Sequence, residues 1–134
     1  MYHDRTPESG GAPQMYAEHT LVHTIAQIFI ALYFIWMGIK NIRLWDMNVQ
    51  RIAVQNLPAV PCLLIGFSIQ FTGAFLVLFD WHTKYGATLL IAFVILASTL
   101  HHRFWEMKDP RIQNYHFLLI TNNGAIAAGL LLLI

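Results

Sequence analysis

Four polar side chains within long apolar stretches are the residues of this sequence most able to do chemistry. Gln70 lies in one stretch, Asn122 and Asn123 lie in another, and His23 lies in a third. An amide can donate a hydrogen bond to a quinone carbonyl, and an imidazole can exchange a proton. These residues are therefore the candidate cofactor-binding set, in a pocket for a quinone head group or a small solute. The alternative is that they only form hydrogen bonds between helices.

A second group of candidates consists of histidines, of which the chain has seven. His101, His102 and His116 are expected near one membrane surface, where they are weak candidates for metal or haem ligands. No HExxH motif and no Cys/His cluster with metal-ligand spacing accompanies them. The alternative is that they bond to loop groups or to lipid phosphate. The sequence contains no catalytic motif, so we assign no catalytic residue.

Long apolar runs must position these side chains, and the sequence has four of them, at 19–41, 58–79, 85–103 and 115–134. Each has about 20 residues, which as a helix spans a hydrocarbon core of about 30 Å. The chain is 57% hydrophobic and 11% charged, whereas soluble domains carry about 25% charged residues. Because lipid cannot satisfy backbone polar groups, the spans must be helices. The sequence therefore predicts an all-α fold, an integral membrane four-helix bundle.

Two further segments flank the bundle. Residues 43–57 are predicted to form a short interfacial helix between helices one and two, because Trp45 and Ile52 belong to an apolar face at helical spacing. Residues 1–18 are polar and rich in Gly and Pro, which predicts an extended N-terminal arm. The domain organisation is thus an arm, 1–18, and a transmembrane domain, 19–134. An arm of this composition would be disordered when free and would become ordered only against another protein. We expect it to contact another subunit.

The charged residues indicate an orientation. Arg5 and Lys84 lie on one predicted side of the membrane, and the remaining basic residues lie on the other: Lys40, Arg43, Arg51, Arg103, Lys108 and Arg111. The positive-inside rule then places both connecting loops in the cytoplasm and both termini on the outer face. A net charge of +1 gives no basic field for nucleic acid. All seven carboxylates lie outside the predicted spans, which argues against a proton-coupled transporter.

The C-terminal part of the sequence, HHRFWEMKDPRIQNYHFLLITNNGAIAAGLLLL, resembles the DoxX-like family of small four-helix membrane proteins. In that family a helix ends in a His-x-Phe-Trp-like stretch, here at 102–105. The last helix carries a Lys-Asn pair, here Asn122-Asn123, before a small-residue run, here at 127–132. A looser similarity extends over residues 20–134. The chain departs from the family at Asn122, which replaces the lysine, and early in helix one, where the expected basic residue is either His23 or absent.

The resemblance implies a helical bundle in a bacterial or archaeal cytoplasmic membrane. Some members of the family are membrane subunits associated with quinone-linked oxidoreductases, including those of thiosulfate oxidation. We therefore expect an accessory or structural subunit of a larger membrane-bound redox complex, in contact with lipid and with other membrane-protein subunits, and without catalytic activity of its own. Quinone and lipid are the candidate cofactors. Two alternatives remain open: a quinone-binding subunit with oxidoreductase activity, and a small-solute carrier or channel.

Overall fold

The computed structural model describes residues 16–101 and 106–134. Within these ranges the chain is all-α, with no strand, and forms five helices: α1 (Leu21–Arg43), α2 (Trp45–Ala53), α3 (Ala59–Leu78), α4 (Thr83–His101) and α5 (Pro110–Leu131). The predicted all-helical fold class is therefore confirmed for the described part of the chain.

Three of these helices, α1, α3 and α4, are long and apolar enough to cross a membrane. Only 22% to 28% of the most apolar segment of each is buried inside the chain. Large apolar side chains face outward instead, such as Phe29 at 69% exposed and Trp36 at 67% exposed. Such a surface suits a hydrocarbon solvent, because a soluble monomer rarely exposes large apolar patches. These features make α1, α3 and α4 the candidate membrane spans.

Helix α3 is central to the packing, because it contacts both α1 and α4. The closest approach is between α3 and α4, at Gly73 and Gly86. A Cβ atom on either glycine would lie 2.9 Å from the carbonyl oxygen of the other, which a real Cβ could not do without moving a helix. The buried apolar cluster surrounds this crossing and consists of Ala31, Phe34, Ala74, Val77, Ala87, Leu90, Val94 and Leu130.

Helix α2 is shorter than the predicted segment 43–57, and side-chain amides tie its region to two longer helices. The Asn48 amide donates to the Asn41 carbonyl oxygen in α1 at 2.9 Å. The Gln55 amide, just after α2, donates to the Leu100 carbonyl oxygen in α4 at 2.6 Å. These bonds hold α2 across one end of α1 and α4, and its position at a membrane surface stays a prediction.

Helix α5 begins at Pro110 rather than at residue 115. The Asp109 carboxylate accepts a hydrogen bond from the Arg111 N–H at 2.9 Å, and proline is favourable at the first helical position. Helix α5 packs along α4, and no Cα atom of α5 lies within 8 Å of one in α3. Its fully buried Leu130 reaches the core near one end. Helix α5 is less apolar than the candidate spans α1, α3 and α4. A fourth membrane crossing and a closed four-helix bundle therefore stay predictions.

Candidate functional site

The predicted cofactor-binding residues lie in separate surroundings. Gln70 is buried, and its amide donates to the Phe34 carbonyl oxygen in α1 at 2.8 Å. The Asn123 amide donates to the Ser98 hydroxyl in α4 at 3.0 Å, whereas Asn122 is exposed. The structure does not bring Gln70 together with the two asparagines, because α5 packs against α4 and not against α3.

The pocket that we expected between α3 and α5 is therefore not formed by the described residues. Gln70 and Asn123 each make a hydrogen bond between helices, as the alternative interpretation expects. The Gln70 Oε1 atom is buried without a hydrogen-bond partner among residues 16–101 and 106–134. In a protein interior such an atom is an exception, but no Cα atom of α5 lies within 8 Å of one in α3, the helix that carries Gln70.

The three candidate metal ligands are only partly within the described residues. His101 ends α4, His116 lies in the second turn of α5, and His102 lies outside the described ranges. Over residues 16–101 and 106–134, no group of three or more His, Cys, Asp or Glu side chains could hold a metal ion. His101 and His116 therefore have no third ligand of these types among the described residues.

A polar network that the sequence analysis missed surrounds Asp80, in the turn between α3 and α4. Its Oδ1 atom accepts hydrogen bonds from the Gln27 amide at 2.9 Å and the Thr83 hydroxyl at 2.8 Å. Its Oδ2 atom accepts from the Tyr16 backbone N–H at 3.2 Å and lies 3.0 Å from His19 Nε2. One carboxylate thereby joins the start of α1, the segment before it, and the α3–α4 turn.

The pKa of Asp80 is held at about 2, below the ordinary value of 3.8. Burial is the largest single influence and acts to raise this pKa, but hydrogen bonds from Gln27, Thr83, the Tyr16 N–H and His19 together outweigh it. The side chain is only 13% exposed. Burial, and to a smaller extent the charge of Asp80, raises the pKa of the Tyr16 phenol, which donates to the Leu78 carbonyl oxygen at 2.6 Å. Asp80 is thus a fixed negative charge at this end of the helices.

His23 belongs to the same network, one step further from the carboxylate. Its Nε2 atom lies 3.0 Å from Gln27 Oε1, and the Gln27 amide nitrogen also donates to the Val77 carbonyl oxygen at 2.9 Å. The imidazole rings of His19 and His23 are stacked, with centroids 4.2 Å apart and planes inclined by 9°. The two histidines therefore form a stacked pair.

A cavity of about 320 Å³ opens beside this pair. Its polar lining residues are His19, His23, Gln27, His82, Thr83 and Lys84. The remaining lining residues are Tyr85, Leu132, Leu133 and Ile134. Of the four residues predicted to bind a cofactor, only His23 lines this cavity. It combines basic and apolar groups, which suits a ligand that has both a polar and an apolar part.

A second depression, of about 450 Å³, lies between α2 and α3. Its lining is mostly apolar and aromatic, including Trp45, Phe67 and Phe71, with hydroxyls from Ser68 and Thr72. The Ser68 hydroxyl donates to the Leu64 carbonyl oxygen of its own helix at 2.7 Å. This groove offers few free polar groups, so the cavity beside His19 and His23 is the better candidate site.

The sequence does carry a signal for the Asp80 network. His19, His23 and Gln27 recur every four residues, and Asp80 directly follows an apolar run. Residues four apart share a helix face, so the first three could be expected together. Their meeting with Asp80 could not be derived from spacing, because it depends on how the start of α1 packs against the α3–α4 turn.

Comparison of the chain with known protein families, characterised proteins and solved structures finds no match in any of the three. What the described residues define is a helical protein with three helices able to cross a membrane, a saturated carboxylate network at one end of them, and a mixed polar and apolar cavity beside that network.

Proposed function

We propose that this chain is an accessory membrane subunit that docks onto a partner in a larger membrane complex through one side of α5. In this proposal α5 is a fourth membrane span. The observation that carries the proposal is an exposed amide, Asn122, in the middle of that helix. The resemblance to DoxX-like proteins supports a redox complex as the setting and a bacterial or archaeal cytoplasmic membrane as the location.

The outer face of α5 consists of Leu118, Thr121, Asn122, Ala125 and Ala128, all of them exposed. These residues recur at intervals of three and four, the spacing of a helix–helix seam. The Asn122 side chain has no hydrogen bond with the described residues, whereas the Thr121 hydroxyl donates to the Phe117 carbonyl oxygen of its own helix at 2.8 Å. The outer face therefore contains one amide that the described chain leaves unsatisfied.

An amide exposed to hydrocarbon is unfavourable, and interhelical hydrogen bonds in membranes contribute about 1 kcal/mol each. The small residues Ala125 and Ala128 on the same face would let a second helix approach closely. A Cβ atom added to the neighbouring Gly124 would meet nothing within 4 Å, so space for such a helix exists. The occupant we propose is a transmembrane helix of a different subunit, with a polar side chain at the depth of Asn122.

The orientation in this proposal follows the basic residues. The end of the molecule that includes α2 and the start of α5 faces the cytoplasm, and the Asp80 end faces outward with both termini. The N-terminal arm, 1–18, is a second proposed contact with other subunits. Residues 1–15 of that arm lie outside the described ranges.

The test is co-purification from the native membrane with a tagged full-length chain. Asn122→Leu removes the amide and keeps the volume similar, so we expect the amount of co-purified partner to fall about fivefold, the effect of losing about 1 kcal/mol. Asn114→Leu is the matched control, because Asn114 is exposed on the same helix nearer its start, and it should retain the partner. Mass spectrometry would name the partner, and an absorption spectrum would show whether the complex carries a redox cofactor.

A photo-crosslinking residue at position 122 identifies the occupant directly. We expect a crosslink to a different polypeptide. A crosslink only to a second copy of the chain would refute the accessory-subunit proposal. Full retention of the partner by Asn122→Leu would refute the role of the outer face of α5.

A further inference from the structure

The cavity beside His19 and His23 has a hydrogen-bonding pattern that the Asp80 network fixes. The Gln27 amide nitrogen faces two groups that can only accept, the Val77 carbonyl oxygen and the Asp80 carboxylate. The amide orientation is therefore determined, and its Oε1 atom must be the acceptor that faces His23. It follows that His23 carries a proton on Nε2.

The same reasoning applies to His19. Its Nε2 atom lies 3.0 Å from the ionised Asp80 carboxylate, which can only accept, so His19 also carries its proton on Nε2. Both imidazoles use this nitrogen within the chain. Their Nδ1 atoms make no hydrogen bond with residues 16–101 or 106–134, and both rings line the cavity. A stacked pair of imidazoles thus offers two Nδ1 atoms to a ligand.

The lining of the cavity includes one cationic side chain, that of Lys84. Lys84 and His82 are exposed and line the cavity, while the Asp80 carboxylate accepts hydrogen bonds from the donors around it. A neutral imidazole accepts a hydrogen bond at Nδ1, and an imidazolium donates there. The cavity can therefore receive hydroxyl groups at the histidine pair and a negatively charged group at Lys84.

Part of the lining is apolar. Leu132, Leu133 and Ile134 follow α5 and line the cavity, and Leu132 is exposed. The cavity also lies at the starts of α1 and α4, beside Tyr85, where apolar helices able to span a membrane give way to polar residues. In a bilayer this is the depth of the lipid head groups, where aromatic residues are enriched.

From this arrangement we infer that the cavity binds the head group of an anionic phospholipid with free hydroxyls, such as phosphatidylglycerol. The phosphate lies against Lys84, the glycerol hydroxyls bond to the Nδ1 atoms of His19 and His23, and an acyl chain leaves along Leu132 and Leu133. This site is separate from the outer face of α5, so it goes beyond the proposed docking function and can be tested on the isolated chain.

The experiment uses the purified full-length chain in a neutral detergent, with phosphatidylglycerol, phosphatidylcholine or inorganic phosphate added separately. Bound lipid is counted by native mass spectrometry, and the thermal unfolding midpoint is followed in parallel. We expect phosphatidylglycerol to bind and to raise the midpoint, whereas phosphatidylcholine and inorganic phosphate leave it unchanged. Lys84→Gln should weaken phosphatidylglycerol binding about tenfold, because it removes a charge-assisted hydrogen bond.

Two matched variants make the result specific. Lys84→Arg keeps the charge and should bind as the original chain does. Lys108→Gln removes an exposed positive charge remote from the cavity and should have no effect on binding. Equal binding of the two phospholipids, or an unchanged affinity in Lys84→Gln, would overturn the site. If inorganic phosphate raised the unfolding midpoint equally, the site would bind a free anion and not a lipid. If a quinone displaced the bound lipid, the site would be a quinone site.

Discussion

The Asp80 end of the molecule and the outer face of α5 differ in whether their polar groups have hydrogen-bond partners within the chain. At the Asp80 end, the carboxylate accepts hydrogen bonds from several donors, and each of those donors comes from this chain. On the outer face of α5, the Asn122 amide has no partner among the described residues, and the neighbouring Gly124 borders open space. An unsatisfied polar group is unfavourable in apolar surroundings, so the Asn122 amide needs a partner if α5 spans the membrane as proposed.

The hydrogen bonds of Asp80 are therefore completed within the chain, whereas the Asn122 amide is left for a partner outside the described residues. The Asp80 network holds α1 against the α3–α4 turn, so removing it should weaken the isolated chain. The outer face of α5 contributes nothing comparable within the chain, so changing it should leave the isolated chain intact. The following variants test that difference, in order of the size of effect we expect on stability.

Asp80→Ala should have the largest effect. It leaves the buried Gln27 amide with one acceptor fewer and removes the partner of His19 and of the Tyr16 N–H. Breaking such a set of charge-assisted hydrogen bonds should lower the free energy of unfolding by about 3 kcal/mol. Unfolding of the detergent-solubilised chain would measure this. Asp46→Ala, at an exposed carboxylate in α2, is the control and should change stability by less than about 0.5 kcal/mol.

Acid should weaken the same network through protonation. Because the folded pKa of Asp80 is about 2 and its ordinary value is 3.8, its contribution is fully present above the ordinary value and is lost as the pH falls towards about 2. We expect the unfolding midpoint to fall across this interval in the original chain. Asp80→Asn cannot titrate, so it should lack this part of the fall. Parallel curves for the two proteins would contradict the assignment.

Gly73→Ala should be the next largest change, because its Cβ atom would meet the Gly86 carbonyl oxygen and a Leu90 side-chain carbon, each at 2.9 Å. Separating α3 from α4 to accommodate it should lower the free energy of unfolding by about 2 kcal/mol. Gly124→Ala makes the same chemical change in open space. It should raise stability slightly, by about 0.5 kcal/mol, through helix propensity. Equal effects of the two substitutions would show that the glycine crossing has no packing role.

Gln70→Leu should have the smallest effect. The substitution removes the hydrogen bond to the Phe34 carbonyl oxygen, but it also removes the buried Oε1 atom that has no partner. These two consequences oppose each other, so we expect a change in the free energy of unfolding below about 1 kcal/mol. Gln27→Leu removes a fully bonded amide and should be clearly more destabilising. A large loss of stability in Gln70→Leu would show that the hydrogen bond to the Phe34 carbonyl oxygen outweighs the removal of the unpartnered Oε1 atom.

The helices themselves could be predicted from the sequence, because apolar length and helix-ending residues are local properties. Helix α3, Ala59–Leu78, lies within the predicted run 58–79. The packing could not be predicted in the same way. Side chains that face lipid and side chains that face another helix are both apolar, so hydropathy does not indicate that α5 lies against α4 rather than α3. For that reason Gln70 and the asparagines were expected together and are not.

The Asp80 site shows the same division between local and long-range information. Residues four apart share a helix face, so the spacing of His23 and Gln27 is local information that is sufficient to predict their contact, and their hydrogen bond is present. For Asp80 the sequence predicts only a position outside the spans, because nothing local to residue 80 indicates which helix end its carboxylate contacts. His23 was included among the candidate site residues for its chemistry, but its stacked neighbour His19 was not.

The long separation between Gln27 and its acceptors has a consequence for biosynthesis. Val77 and Asp80 follow Gln27 by 50 and 53 residues, so they are synthesised after α1 is complete. Until then the Gln27 amide lacks the two acceptors that it has in the folded chain. We therefore expect α1 to remain beside the insertion machinery until the α3–α4 hairpin arrives. A nascent chain arrested before α3 should be extracted and degraded sooner than one arrested after α4.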